Sequence, residues 1–394
     1  MRRRPPRATA RIAAALAGLT LATGLFPAAP LAQSTAQPSL GTLEKLGRAL
    51  FGDRNLSANR RQSCVSCHSP DLAFTDPKEL GKIEGAVSVG ADGRSFGDRN
   101  SPSASYASFA PEFRISEGGE PVGGFFWDGR ARTLEEQAGG PPLNPVEMGM
   151  PDKQSVVARR KENPRYVEAF PAFFGTGVLD DTEQAYAAMT KAIAVYERAS
   201  DFAPFDSKYD RSLRGEAMLT GAEAMGRDLF FSPGRGNCGA CHLSNGPGAA
   251  EKEVFSGFKY YNIGTPANRN VRALNGSKPG FVDVGLAANP AASGAGHDGK
   301  FRVPGLRNVA ITGPYMHNGI FKELRTVLLF HQRLSLDGPR INPETGQPWD
   351  APEVHANLAA GNLKAVPALS ESENAALIAF LKTLTDKRHE RLLD

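Results

Sequence analysis

Two short stretches carry the chemistry of this 394-residue chain. Cys64-Val65-Ser66-Cys67-His68 and Cys238-Gly239-Ala240-Cys241-His242 are both C-x-x-C-H. That pattern is the attachment signature of c-type haem. The paired thiols form thioethers to a porphyrin, and the adjacent imidazole is placed to ligate the iron from one face. A thioredoxin-like pair or a zinc site also uses C-x-x-C, but neither explains a histidine after both pairs. All four cysteines of the chain lie in these motifs. None remains for the disulfides ordinarily expected of an exported protein. The expected cofactors are therefore two covalent c-type haems. One is held by Cys64, Cys67 and His68, the other by Cys238, Cys241 and His242.

Export is read from residues 1–32. A basic MRRRPPRATAR precedes the apolar IAAALAGLTLATGLF and the small residues PAAPLA, the order of a signal peptide cleaved near Ala32. The apolar run is too short for a comfortable membrane span, and no later run reaches spanning length. The mature protein is expected to be periplasmic, without a membrane span. The leader carries five arginines and no acid, so its removal turns the formal charge of +4 into −1. The positive charge is thus no argument for a nucleic-acid partner.

Helical patterns lead into both motifs. Gly47-Arg48-Ala49-Leu50-Phe51 precedes the first and Gly226-Arg227-Asp228-Leu229-Phe230 the second, a weak internal repeat. The periodic residues are Leu43, Leu46 and Leu50 in one, and Met218, Ala222, Met225 and Leu229 in the other. Thr182 to Ala199 reads as a helix with Ala185, Met189, Ala192, Ile193 and Tyr196 on one face. Ser370-Glu371-Ser372-Glu373 is a capping-box pattern that opens a helix with Leu377, Phe380, Leu381 and Leu384 on one side. Gly/Pro-rich stretches at 81–125, 232–250 and 275–300 read as loops, long enough to be functional. Period-two alternation is scarce. The expected fold is mainly α, with two cytochrome c-like haem domains in tandem, at 38–205 and 206–394.

Further stretches stand around the haem motifs: Arg99-Asn100-Ser101-Pro102, Phe126-Trp127-Asp128-Gly129-Arg130, Leu134-Glu135-Glu136-Gln137-Ala138, Asn144-Pro145-Val146-Glu147-Met148-Gly149, Val303-Pro304-Gly305-Leu306-Arg307-Asn308 and Gly313-Pro314-Tyr315-Met316-His317-Asn318-Gly319. In their order, across nearly the whole mature chain, they resemble the bacterial dihaem cytochrome c peroxidase and MauG family. The resemblance implies an enzyme that uses peroxide. It implies that Glu147 is the acid–base group of the first haem pocket, that Gln137 is its amide and that Pro141 lies between them. O–O cleavage needs such a group to move a proton. A solvated surface acid is the usual fate of a glutamate, but the motif around Glu147 favours the pocket. Trp127 matches a tryptophan that relays electrons between the haems, although a core tryptophan packed for its area is also compatible.

Many members of the family carry a distal histidine after the first motif. Here no histidine lies between His68 and His242, so the first iron is expected to lack that ligand. Met148 and Met150 compete as caps for it. MauG has a second tryptophan just before the second cysteine pair, whereas this chain has Pro233-Gly234-Arg235-Gly236-Asn237. For the second haem, His331 shares a helical face with Leu324 and Leu328 and is the favoured distal ligand. The alternative is Met316, with His331 a satisfied core residue. His297, His355 and His389 are expected on the surface. The resemblance also implies a Ca²⁺ held by Asn100 and by carbonyls of Thr312 and Pro314, oxygen donors of the kind Ca²⁺ takes.

The leading function is H₂O₂ reduction at the N-terminal haem, with electrons passed through the C-terminal haem. The alternatives are MauG-like oxidation of Trp or Tyr in a partner protein and a non-enzymatic electron carrier. The expected partner is accordingly a small periplasmic electron donor or an oxidised protein substrate, and a homodimer stays open.

Overall fold

The computed structural model describes residues 40–77, 85–243, 252–292, 294 and 296–393. The leader at 1–32 lies outside them. Twelve α-helices are described: α1 (Leu43–Phe51), α2 (Cys64–Cys67), α3 (Leu134–Ala138), α4 (Lys153–Lys161), α5 (Pro164–Phe174), α6 (Thr182–Glu197), α7 (Lys208–Leu213), α8 (Gly221–Phe231), α9 (Arg269–Leu274), α10 (Leu324–Gln332), α11 (Ala360–Lys364) and α12 (Glu371–Lys382). The strands described are two residues each, in three antiparallel pairs. These are β1 (Arg114–Ile115) with β2 (Pro121–Val122), β3 (Tyr260–Tyr261) with β4 (Phe301–Arg302), and β5 (Ile341–Asn342) with β6 (Gln347–Pro348). The fold is mainly α, with long irregular connections.

Side-chain caps start the helices that matter. Thr42 accepts from the Lys45 amide to open α1, and Asp181 from the Gln184 amide to open α6. Capping boxes open α8, with Thr220 and Glu223, and α12, with Ser370 and Glu373. Each satisfies amides that the first turn leaves unpaired.

Two helix pairs then repeat one packing solution. α1 crosses α6, and α8 crosses α12. A Cβ on Gly47 would stand 1.9 Å from the Ala192 carbonyl oxygen and 2.9 Å from Tyr196 Cβ. A Cβ on Gly226 would stand 1.9 Å from the Ala376 carbonyl oxygen and 2.9 Å from Phe380 Cβ. The repeat seen before each haem motif is thus the glycine of a close helix crossing, and Ala-x-x-x-aromatic on the partner helix is its other half. Around the first crossing Phe51 packs on Phe74, Tyr196 and Phe202. Around the second, Phe230 packs on Phe255 and Phe380. The two apolar cores fall on either side of residue 205.

One face was read differently from sequence. Met218 precedes α8 and is 88% exposed, and Met225 is exposed as well. α8 buries Gly226, Leu229 and Phe230 instead, because the glycine contact fixes which face turns inward. Replacing Gly226 with Ala forces the crossing apart. We expect a loss of about 1–3 kcal/mol or more, the cost of overpacking, seen as a lower Tm by circular dichroism. Gly221, on the same helix with nothing within 4 Å of its would-be Cβ, is the control. A Gly226→Ala variant as stable as Gly221→Ala would refute the crossing argument.

Candidate active site

Cys64, Cys67 and His68 line a cavity of about 420 Å³ together with Gln137, Pro141, Glu147 and Met148. The turn of α2 is set by the Ser63 amide donating to Ser66 Oγ and the His68 amide to the Cys64 carbonyl. The His68 ring is then fixed by Nδ1, 3.1 Å from the Phe74 carbonyl. A carbonyl only accepts, so Nδ1 carries the proton and Nε2 keeps its lone pair, the state a metal ligand needs. Burial pushes the His68 pKa below its ordinary value. Among the described residues His68 is the only histidine lining this cavity. Met150 packs in the helical core rather than lining it.

Glu147 sits in a tight loop built by Asn144. The Asn144 side chain donates to Glu147 Oε1 at 2.8 Å and accepts from the Val146 amide, and the Asn144 carbonyl accepts from the Gly149 amide. Burial raises the Glu147 pKa, against the pull of Asn144 and of the Arg130 charge.

A second cavity, of about 240 Å³, is lined by Cys238, Cys241, His242, Met316, His317 and His331 among others. His242 repeats the geometry of His68: Nδ1 lies 3.2 Å from the Phe255 carbonyl. Burial pushes His242 down to about 4, and the neighbouring His331 adds to it. His331 Nδ1 lies 2.8 Å from the Val327 carbonyl on α10, so its Nε2 is also unprotonated. Leu324 and Leu328 line the same cavity, as their shared helical face requires. Met316 lines it too.

Trp127 and Arg302 line both cavities. Trp127 Nε1 donates to the Asn100 carbonyl at 2.8 Å, and the Asn100 amide donates to the His317 carbonyl at 2.7 Å. Arg99 holds Asp283 through two bonds of 2.7 Å and Asp128 through one of 2.6 Å, and Arg130 also reaches Asp128. Burial alone would raise Asp283, but Arg99 wins and holds it at about 2. Three motifs far apart in sequence thus meet around one indole.

The family described as di-haem cytochrome c peroxidase matches residues 42–218. The methylamine utilization protein MauG of Paracoccus denitrificans is 49% identical over 372 residues, 94% of this chain and 95% of that protein. The cytochrome c peroxidase Ccp of Escherichia coli is 31% identical, over 70% of this chain and 49% of that protein. In structure, the diheme peroxidase BthA of Burkholderia thailandensis matches with a TM-score of 0.75 and 33% identity, covering 90% of this chain and 88% of that one. The chain belongs to the dihaem cytochrome c peroxidase and MauG family. Membership makes it a peroxidase-type oxidoreductase with haem cofactors, which excludes the plain electron carrier.

Against that family frame, several surface assignments need correction. His389 is 2% exposed, its Nε2 accepting from Arg388, because the C-terminal turn packs back on the body. His297 is half-buried, and its Nδ1 is enclosed without a partner. His355 is exposed as expected. His317 is buried and stacked 3.5 Å from the Phe301 ring, with burial pushing it down to about 3.

Three sets of residues escaped sequence reading. The Phe74 and Phe255 carbonyls are one: both residues adopt left-handed backbone, with φ of 54° and 58°, which turns each carbonyl toward its histidine. The shared Phe-Thr and Phe-Ser after the two motifs was the available signal. Asn144 is another. The last is Glu197, at the end of α6.

Glu197 lines the first cavity, is 6% exposed, and leaves Oε2 without a partner. Burial raises its pKa from 4.5 to about 8. The folded protein therefore keeps a proton that the unfolded chain releases near 4.5. This contribution to stability is fully present below pH 4.5 and is lost as pH rises through 8. The loss amounts to up to about 5 kcal/mol, at about 1.36 kcal/mol per pH unit. Glu197→Gln should match wild type in Tm at pH 4.5 and exceed it increasingly toward pH 8.5. A gap independent of pH would show that Glu197 titrates normally.

Proposed function

We propose that the chain is an exported dihaem c-type peroxidase. It reduces H₂O₂ at the N-terminal haem with electrons passed through the C-terminal haem, in two tandem haem domains divided near residue 205. The observation that carries this reading is the half-buried Glu147 carboxyl, held by Asn144 in the cavity that also presents Cys64, Cys67 and His68. Thioethers to Cys64 and Cys67, and to Cys238 and Cys241, would hold the two haems, with His68 and His242 as proximal ligands. Duplicated histidine orientation, and a pair of cysteines beside each histidine on its cavity wall, support that fit.

The bound haem supplies an iron that takes peroxide and accepts its oxidising power. The protein moves the proton. Asn144 occupies Glu147 Oε1, which leaves Oε2 to take the proton from the near peroxide oxygen and return it to the leaving one. Elevation of the Glu147 pKa by burial brings it closer to the working pH, where acid–base exchange is most effective. Gln137 offers an amide to hold the peroxide. Trp127 carries single electrons between the cavities, its N–H anchored on the Asn100 carbonyl. With no histidine in the stretch 69–241, the first site needs no reductive unblocking.

A second reading is MauG-like oxidation of Trp or Tyr in a partner protein. It is favoured by the 49% identity that extends over 95% of the Paracoccus protein. Steady-state peroxide consumption with a reduced small c-type cytochrome separates the two. Rapid turnover supports the peroxidase, and negligible turnover beside modification of a partner protein supports the other.

At the second haem His331 is the proposed distal ligand, since its unprotonated Nε2 shares the cavity with His242. Met316→Ala should preserve a low-spin bis-histidine EPR signature that His331→Ala removes. The near-infrared band of methionine ligation, lost in Met316→Ala, would assign the ligand to Met316 instead. Asn100 is proposed to serve a Ca²⁺ with the carbonyls of Thr312 and Pro314. Its amide nitrogen is committed to the Ala86 carbonyl, so Oδ1 is the atom that would face the ion.

Glu147→Gln should retain both haems and slow O–O cleavage roughly 10²–10⁴-fold, the usual worth of acid–base catalysis. Stopped-flow mixing with H₂O₂ measures it, and wild-type rates would remove Glu147 from the mechanism.

A further inference from the structure

Of the chain's two tryptophans, Trp127 stands between the cavities and Trp349 has no part in the mechanism above. Trp349 packs on Phe330, with ring centroids 5.4 Å apart at 70°, and on Phe321 at 5.9 Å. The Phe330 ring in turn stands 6.3 Å from the His331 ring at 89°. His331 lines the second cavity. A continuous ring contact therefore runs from that cavity through His331 and Phe330 to Trp349. The far end reaches the surface: Trp349 is half-buried, and its Nε1 donates to the Pro339 carbonyl at 2.9 Å. Along the same segment Leu336 is 89% exposed and Ile341 48% among the described residues. The stretch just before Cys238, Pro233-Gly234-Arg235-Gly236-Asn237, offers no tryptophan or tyrosine.

We infer that Trp349 is the outer relay by which single electrons pass from an external redox protein into the second cavity, through Phe330 and His331. The inference rests on the peroxidase reading and on His331 facing the second haem. Indole is far easier to oxidise than a phenyl ring, so Trp349 holds the charge and Phe330 only bridges. Electrons and atoms balance. One H₂O₂ takes up two electrons and two protons and leaves as two waters. Trp349 gives up one electron at a time and regains it from the donor. With no donor present, the oxidised indole adds the oxygen of one water and releases, in total, two electrons and two protons, which equals the demand of one peroxide.

The test uses the holoprotein with H₂O₂ and no reductant, followed by peptide mapping. The expected result is oxygen addition at Trp349 that disappears when a reduced small c-type cytochrome is present. In Trp349→Phe, turnover with that cytochrome should fall by about tenfold or more, equivalent to about 1.4 kcal/mol in the barrier. The first reaction with peroxide should be unchanged. Phe330→Leu, which keeps an apolar filling but removes the ring, should slow turnover as well. Peroxide consumption with Trp349 unmodified, or wild-type turnover in Trp349→Phe, overturns the inference alone. Equal oxidation of Trp349 in Glu147→Gln would mean that bulk peroxide reaches it directly, and also overturns it. Failure of wild type to consume peroxide at all overturns the peroxidase reading, and the relay with it.

Discussion

The architecture depends on two helix crossings that leave no room for a side chain at their centres. At each, the carbonyl of an alanine on one helix occupies the space that a Cβ on the facing glycine would take. The consequences run outward in order. The crossing of α1 over α6 fixes Phe51, which packs on Phe74, and the carbonyl of Phe74 orients His68. The crossing of α8 over α12 fixes Phe230, which packs on Phe255, and the carbonyl of Phe255 orients His242. Tight interiors transmit position well because they cannot deform gradually. A shift of one helix would therefore reach the proximal imidazole, two contacts away.

Residues on the two sides of 205 meet through both polar and apolar contacts. Arg99 joins Asp283 to Asp128 in a nearly solvent-free seam, and Phe125, Leu134 and Ala194 cluster with Val254 and Phe258. Tyr106 donates to Asp386, tying residues 280 apart in sequence. Buried ion pairs often contribute little net stability, because desolvation offsets the attraction, but removal of one partner is costly. Their value here is register. Each bidentate fork admits one arrangement of the segments it joins, and Trp127 hangs from that arrangement through the Asn100 carbonyl. The side chain that lines both cavities thus has neighbours fixed from both sides.

Two glutamates of different character line the first cavity. Glu147 is half-buried and bonded by Asn144. Glu197 is enclosed, with one oxygen unpartnered. Burial raises both and a nearby arginine lowers both, Arg130 for Glu147 and Arg198 for Glu197. The hydrogen bond from Asn144 is what sets Glu147 apart.

The sequence by itself determined which cysteines and histidines stand together, because C-x-x-C-H places them within one turn and needs no tertiary information. The cap of α12 was legible for the same reason: Ser370 with Glu373 is a contact within four residues. Glu147, Gln137 and Trp127 were legible only through the ordered motifs around them, and the structure brings all three to the cavity wall. What local pattern misjudged was facing. Met218 and Met225 fit a helical period yet point outward, since the Gly226 crossing, a contact with residue 376, chose the buried side. His389 looked like a surface residue and is buried, because the packing of the C-terminal turn is not a property of its own sequence. The carbonyls of Phe74 and Phe255, the Arg99 seam and the burial of Glu197 belong to the same class. Each depends on a group brought near by the fold, and backbone carbonyls and burial leave no residue-type signature. Tertiary structure alone decided which nitrogen of His68, His242 and His331 is free and which carboxyl is enclosed.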